Sequence, residues 1–208
     1  MKKLLLGIAA VCLAGFTFAQ DAPLWMRHSV ISPDGTTIAF TYKGDIYTVP
    51  VAGGRAMQIT TNPAYDTAPV WSPDSKRIAF ASDRMGSLDV YIVAKDGGEP
   101  RRLTTHSGSE TPLAFTDAGH VLFSAGIMPS AEAVVFPSNG QFNQVYRVSV
   151  EGGRPTMISS MPMECISINK EGAMLYQDKK GYEDYWRKHH VSPIARDIWM
   201  YTPGKEPQ

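Results

Sequence analysis

Residues 32–40 have the sequence Ser-Pro-Asp-Gly-Thr-Thr-Ile-Ala-Phe, and residues 72–80 repeat it as Ser-Pro-Asp-Ser-Lys-Arg-Ile-Ala-Phe. In these segments the Pro restricts φ, the Asp bonds nearby backbone amides and the Gly of the first copy accepts positive φ. A tight turn followed by a strand is therefore predicted. Weaker copies follow at residues 116–123 and 169–176. We interpret the chain as four copies of one unit.

Two further signatures recur in these units. A polar residue, an aliphatic residue and an aromatic residue occur in that order at residues 45–47, 89–91, 144–146 and 197–199. In the first three copies a Gly-Gly pair begins six residues after the aromatic residue and predicts a hairpin; the pairs begin at Gly53, Gly97 and Gly152. Each unit thus contains four antiparallel strands in about 40–53 residues, which is typical of one β-propeller blade.

The repeats predict an all-β fold. We expect a β-propeller of four-stranded antiparallel blades, with about four blades present in an incomplete ring. A solenoid or a β-sandwich is the alternative architecture. The predicted blades span approximately residues 24–61, 66–105, 111–160 and 163–208. By the offsets of the repeat, the outermost strand of the last copy falls just beyond residue 208, so we expect an N-terminal fragment of a longer protein.

The first nineteen residues are predicted to be a secretory signal peptide. Lys2 and Lys3 precede an apolar run at residues 4–18, and Ala19 supplies a small residue before the cleavage point. An uncleaved anchor or a buried strand is the alternative. Residues 20–208 then form the partial propeller, which we expect to be exported to the periplasm or the extracellular space. No other stretch is long and apolar enough to span a bilayer.

The composition excludes several classes of function. Twenty Lys and Arg residues balance twenty Asp and Glu residues, so the chain lacks the broad positive charge of a nucleic-acid binder. Of two Cys residues one lies in the predicted leader, which excludes an internal disulfide framework. Adjacent His189 and His190 lack the spacing of zinc ligands, and no Gly-x-Ser-x-Gly or phosphate-binding loop occurs. We expect no metal, no cofactor and no catalytic constellation within these 208 residues.

The repeated Ser-Pro-Asp-Gly, Ile-Ala-Phe, Asp-Ile-Tyr and Gly-Gly elements resemble the propeller repeats shared by TolB and the tricorn proteases. The propeller begins at about Trp25, directly after the predicted leader, and residues 181–199 are similar to the tricorn subgroup. The chain therefore looks most like the N-terminal six-bladed propeller of bacterial tricorn-protease homologues. That resemblance implies a parent serine peptidase whose catalytic and PDZ domains lie downstream, so no catalytic residue carries over to this chain.

The resemblance implies a function for the chain as part of a larger enzyme. It would be the N-terminal propeller portion of an exported tricorn-like serine protease, serving peptide gating or docking without being catalytic itself. Peptides and the downstream peptidase and PDZ domains are the expected partners; nucleic acid is not, and a homo-oligomer stays open. Two alternatives remain: a non-enzymatic TolB-like binding propeller of the cell envelope, and the propeller of a prolyl-oligopeptidase-type hydrolase.

The loops between the second and third strands share one rim of the propeller, because successive strands are antiparallel. They lengthen from 7 residues between Phe40 and Tyr47 to 23 between Tyr176 and Trp199. Long loops on a rigid scaffold commonly carry binding residues. The basic, aromatic loop of the fourth copy is the predicted site, for a peptide carboxylate or an acidic partner. Its residues are Tyr182, Tyr185, Trp186, Arg187, Lys188, His189 and His190.

The alternative for this loop is a solvated segment that packs against neighbouring blades. Recurrent carboxylates elsewhere follow the repeat and are expected to make structural hydrogen bonds rather than to act in catalysis. These are Asp34 and Asp74 in the turns, and Asp45, Asp89 and Asp197 at the third strands.

Overall fold

The computed structural model describes residues 25–126, 143–159, 163–169, 171–177, 197–202 and 205. The predicted signal peptide lies outside these residues. In the described residues every strand pairs antiparallel with its neighbours, and the strands form four separate sheets. The same residues contain no helix that could cross a membrane. The predicted all-β fold and its propeller architecture are confirmed.

Each sheet is one blade, and its strands lie side by side in chain order. The first blade contains β1 (Arg27–Ile31), β2 (Thr37–Tyr42), β3 (Asp45–Pro50) and β4 (Met57–Gln58). The second contains β5 (Asp66–Trp71), β6 (Arg77–Ser82), β7 (Asp89–Ala94) and β8 (Arg101–Arg102). The third contains β9 (Glu110–Asp117), β10 (His120–Ala125), β11 (Gln144–Ser149) and β12 (Thr156–Ser159). The described part of the fourth contains β13 (Glu164–Ile168), β14 (Met174–Gln177) and β15 (Ile198–Tyr201).

The turn between the first two strands is closed by its own side chains. The Ser32 hydroxyl donates to the Asp34 carboxylate at 2.6 Å and accepts the amide of Thr37 at 3.0 Å. Asp34 also accepts the amide and the hydroxyl of Thr36. The Ser32 hydroxyl, together with these Thr36 bonds, lowers the pKa of Asp34 to about 2. Gly35 has φ of 72°, which a residue without Cβ adopts at no steric cost.

The second blade repeats this turn with one change. Ser72 donates to Asp74 at 2.5 Å and accepts the amide of Arg77 at 2.9 Å, as in the first blade. Ser75 stands where the first blade has glycine and adopts φ of 58°. The predicted structural role of Asp34 and Asp74 is therefore confirmed.

The blades pack face to face in succession. The first strands of consecutive blades contact one another, which places them along the propeller axis. Between the first and second blades, small and aliphatic side chains of one sheet meet large side chains of the next. Ala39, Ile46 and Ile59 of the first blade pack against Trp71, Ile78, Phe80, Tyr91 and Val93 of the second. Successive side chains of a strand point to opposite faces of its sheet, and both faces are buried where a blade lies between two neighbours.

The same arrangement recurs at the next two contacts between blades. Ala79, Val90, Ile92 and Leu103 of the second blade meet Phe115, Val121, Phe123, Tyr146 and Val148 of the third. Leu122 and Val145 of the third blade meet Met163, Met174 and Tyr176 of the fourth. Within three blades the second and third strands also stack one aromatic pair each, with centroids 5.6 to 6.0 Å apart: Phe40–Tyr47, Phe80–Tyr91 and Phe123–Tyr146. The periodic aromatic residues of the sequence are therefore core residues.

Polar contacts join the blades as well. The indole nitrogen of Trp71 donates to the carbonyl of Val30 at 3.2 Å, across the first contact between blades. Arg101 reaches from the second blade to the third, where it bonds the Val150 carbonyl and lies 2.8 Å from Glu151. These bonds join the first blade to the second and the second to the third.

The fourth blade leaves its second face exposed. Ile198 occupies the repeat position of Ile46, yet Ile198 is 74% exposed whereas Ile46 is fully buried. Leu175 holds the position of Ala39 and is 49% exposed. We call Leu175, Ile198 and Met200 the fourth-blade face. In the first three blades the positions of Leu175 and Ile198 pack against the following blade, and in the fourth they pack against nothing described.

Candidate functional site

One rim of the propeller contains the strand ends that the long loops join. In every blade the first strand begins at this rim, the second ends there and the third begins there, because neighbouring strands are antiparallel. We call it the loop rim; in the second blade it contains Asp66, Arg84 and Asp89. The opposite rim carries the Ser-Pro-Asp turns and is called the turn rim.

The predicted binding segment lies between β14 and β15 in the sequence. All seven of its residues lie outside the described residues: Tyr182, Tyr185, Trp186, Arg187, Lys188, His189 and His190. The prediction that they form a binding site stays a prediction. The described part of the loop rim contains a different set of residues, which are charged and lie between blades.

At the first contact between blades, Asp66 and Arg84 form a buried ion pair. Asp66 begins β5 and is fully buried, and the Arg84 guanidinium lies 3.0 and 3.1 Å from its two carboxylate oxygens. Arg84 also donates to the Ser82 hydroxyl at 2.8 Å. Its guanidinium lies 4.6 Å from the centroid of the Tyr91 ring and 5.7 Å from that of Phe80. These contacts fix the position of the Arg84 guanidinium, so its positive charge compensates the buried carboxylate of Asp66.

Asp45, at the start of β3, lies close to this pair. Its carboxylate accepts the Thr60 hydroxyl at 3.2 Å and the Gln58 amide at 3.0 Å. Thr60 in turn accepts the backbone amide of Ile46 at 3.0 Å, so one hydroxyl links the fourth strand to the third. Burial raises the pKa of Asp45, the Asp66 charge adds to that effect, and the Thr60 bond opposes it. The predicted structural role of this aspartate is confirmed.

The second contact between blades repeats the pattern with the arginine in another place. Thr104 accepts the amide of Val90 at 2.9 Å, as Thr60 does for Ile46. Asp89 forms an ion pair with Arg102 at 2.8 Å, and Arg102 occupies the repeat position of Gln58. Asp89 is fully buried, so the predicted structural role also holds here.

Glu110 begins β9 and completes this second group. It is fully buried at the repeat position of Asp66, six residues before the turn sequence. Burial raises its pKa to about 7, and the charge of Asp89 acts in the same direction, whereas the Thr104 hydroxyl and Arg102 oppose the rise. By the repeat offset, Ile127 stands where the second blade has Arg84, so the sequence supplies no arginine for Glu110 at that position.

The third contact between blades carries no charge at the equivalent positions. Gln144 stands in the position of Asp89, Met157 in that of Arg102 and Met163 in that of Glu110. Gln144 accepts the Tyr146 hydroxyl at 2.9 Å, and Met163 is buried in the apolar core. The acidic and basic side chains are thus present together at two contacts and absent together at the third.

This arrangement supports structure rather than chemistry. In the described ranges no three His, Cys, Asp or Glu side chains converge as metal ligands would. Asp45, Asp66 and Asp89 each bond an arginine, a threonine or a glutamine at a contact between blades. Sequence reasoning found Asp45 and Asp89 by their recurrence but missed Asp66 and Glu110. The missed signal was an acidic residue six positions before two of the turns.

The blade repeat, the turn chemistry and the loop rim agree with a known family. The family model described as the tricorn protease N-terminal β-propeller domain matches residues 23–207. The chain belongs to this family. The predicted resemblance to tricorn-type propellers is therefore confirmed.

Individual relatives of this tricorn-type propeller include two proteins named as a protease homologue or a peptidase and one named as a TolB. The chain is 25% identical over 180 residues to Tricorn protease homolog 1 of Streptomyces coelicolor, covering 86% of the chain and 16% of that protein. It is 30% identical over 129 residues to the uncharacterized peptidase YuxL of Bacillus subtilis, covering 61% of the chain and 20% of that protein. The structure of a putative TolB from Agrobacterium tumefaciens superposes with a TM-score of 0.63 at 23% identity, covering 87% of the chain and 63% of that structure.

The match covers only part of each related protein. The chain spans a fifth or less of the length of the two curated relatives. The TolB likeness, at 23% identity, shows the fold alone. The family match therefore identifies a tricorn-type propeller domain and does not establish the activity of a longer protein.

Proposed function

We propose that this chain is the N-terminal propeller portion of an exported tricorn-like serine peptidase, in which it docks or gates peptides and performs no catalysis. The observation that carries the proposal is the family match over residues 23–207, which takes in all four blades. Export rests on the charged and apolar leader at residues 1–19.

The described residues favour the fourth loop as the place of peptide contact. At the loop rim the buried acids Asp66 and Asp89 are paired with Arg84 and Arg102, which holds neighbouring blades together, whereas Asp83 and Lys43 are exposed. Arg187 and Lys188, in the loop between β14 and β15, carry the positive charge that suits the terminal carboxylate of a peptide.

Peptide binding by the chain tests this role. We expect a fluorescent peptide with a free C-terminal carboxylate to bind more tightly than the same peptide with an amidated end. The double variant Arg187→Gln, Lys188→Gln should weaken binding of the free-carboxylate peptide by about tenfold, because a charge-assisted hydrogen bond is lost. Fluorescence anisotropy at fixed ionic strength measures both effects.

A matched control separates this site from general charge. The double variant Lys76→Gln, Lys95→Gln removes the same charge from exposed positions on the turn rim. It should leave peptide affinity unchanged. Equal losses in the two double variants, or equal binding of the free and amidated peptides, would contradict docking at the fourth loop. Cleavage of peptides by this chain alone would contradict its non-catalytic role.

The identity of the parent protein has its own test. A PDZ domain and a Ser-containing peptidase domain in the reading frame downstream of residue 208 would support a tricorn-like protease. A Gly-x-Ser-x-Gly hydrolase domain there would instead indicate a prolyl-oligopeptidase-type enzyme. A frame without either domain would indicate a binding propeller like TolB.

A further inference from the structure

Two carboxyl groups from neighbouring blades meet at the second contact between blades. Asp89 begins β7 of the second blade, Glu110 begins β9 of the third, and both side chains are fully buried. The Glu110 amide donates to the carbonyl of Leu88, the residue before Asp89, at 2.6 Å. Apart from the ion pair of Asp89 with Arg102, the carboxylate oxygens of both residues are buried without a hydrogen-bond partner among the described residues.

The charges at this contact do not balance when both carboxyls are ionised. Arg102 is the cation that faces them, and its guanidinium lies 2.8 Å from Asp89. A second buried carboxylate beside the first would be uncompensated, and a buried pair of this kind is relieved when one member keeps its proton. A protonated Glu110 donates a hydrogen bond to ionised Asp89, which also keeps its ion pair with Arg102.

The other contacts between blades support this interpretation. At the first contact, one nitrogen of Arg84 donates to both carboxylate oxygens of Asp66, and Asp45 is bonded by Gln58 and Thr60. At the third contact, neutral Gln144 and Met163 replace the two carboxyls and Met157 replaces the arginine. The second contact differs from the first because both of its carboxyls are fully buried, whereas Asp45 is only partly buried and is bonded by Gln58 and Thr60.

We propose that Asp89 and Glu110 share a single proton, so that the second and third blades dock more tightly as the pH falls from neutral to mildly acidic. The proton resides on Glu110 and bridges to Asp89. Asp89 of β7 and Arg102 of β8 are the charged groups that face Glu110 from the neighbouring blade. The proposal concerns the packing of the fold and does not depend on the proposed function.

The direction of the pH effect follows from the two states of Glu110. Its pKa is about 7 in the folded chain and has an ordinary value of 4.5, so the folded chain binds more protons between these values. Stability from this group is complete below its ordinary pKa and is lost as the pH rises through the folded pKa. Folding should therefore take up about one proton at Glu110 near pH 6.

Urea unfolding of the 208-residue chain across pH 5 to 8.5 measures this linkage, and the decisive quantity is the difference between wild type and Glu110→Gln. We expect wild type to lose stability relative to Glu110→Gln as the pH rises, with the loss levelling off above about pH 7.5. Glu110→Met, which copies Met163, should also remove the pH dependence. Glu164→Gln is the control, because Glu164 is partly exposed on β13 and should leave the wild-type slope intact.

Two further measurements keep the proposal open to refutation if Glu110 variants fold poorly. Asp89→Asn removes the second carboxyl while Arg102 remains for Glu110, so the slope between pH 5 and 7.5 should flatten in the same way. An infrared difference spectrum of folded wild type should show a protonated-carboxyl band that disappears near pH 7. A wild-type slope that survives in both variants, or the absence of that band at pH 5, would overturn the shared proton.

Discussion

The backbone amide of Asp34 donates a hydrogen bond of 3.1 Å to the hydroxyl of Ser75, which lies one repeat further along the chain. The turn of the first blade is thereby joined to the turn of the second. Ser75 is buried and has φ of 58°, a conformation that favours glycine. Serine thus replaces the glycine of the repeat at a position where its hydroxyl forms a hydrogen bond between blades.

Two substitutions at Ser75 should separate the bond from the backbone strain. Ser75→Ala keeps a Cβ at positive φ and loses the bond, so we expect a loss of about 1 kcal/mol in the free energy of unfolding. Ser75→Gly loses the same bond but relieves the positive φ, so stability should stay within about 0.5 kcal/mol of wild type. Urea unfolding compares the two. A Gly variant as unstable as the Ala variant would contradict backbone strain at this turn.

The local parts of this fold were predictable from the sequence because their chemistry is local. The bond between Ser72 and Asp74 spans two residues, so the turn can be inferred from the sequence of the turn itself. The stacked Phe80 and Tyr91 recur at constant offsets, and that recurrence placed them on the second and third strands of a blade. Both features depend on residues that the repeat places at fixed positions.

The charged groups between blades could not be predicted in the same way. Arg84 lies in a loop whose length varies from blade to blade, so no periodicity marks it as the partner of Asp66. The burial of Glu110 results from the docking of one blade on another, which is a tertiary effect. The bond between Asp34 and Ser75 likewise joins two turns that the sequence shows only as separate motifs.

Ile46 and Ile198 occupy the same position of the repeat, and their different exposure gives a second prediction. Ile46→Ala opens a cavity between the first and second blades, so we expect a loss of about 2–5 kcal/mol in the free energy of unfolding. Ile198→Ala changes a side chain that is 74% exposed on the fourth-blade face and should cost no more than about 0.5 kcal/mol. Urea unfolding of both variants at one protein concentration measures the difference.

Association between chains would change the expected result for Ile198→Ala. If the fourth-blade face is covered in solution, Ile198→Ala should cost as much as Ile46→Ala and its cost should depend on protein concentration. Sedimentation velocity of wild type and Ile198→Asp detects such association directly. A concentration-independent loss from Ile198→Ala above about 2 kcal/mol would contradict the exposed position of this side chain.

The third prediction concerns the buried pair of Asp66 and Arg84. Arg84→Met removes the arginine partner of Asp66 and the ring contacts while Asp66 stays buried, so we expect a loss of about 3–5 kcal/mol in the free energy of unfolding. The double variant Arg84→Met, Asp66→Asn removes the stranded charge and should recover part of that loss. Arg101→Met removes the exposed pair with Glu151 and the bond to the Val150 carbonyl; it is the comparison variant and should cost less than Arg84→Met. If Asp66→Asn restores nothing to Arg84→Met, then lost packing on Phe80 and Tyr91, rather than the unpaired carboxylate, causes the instability.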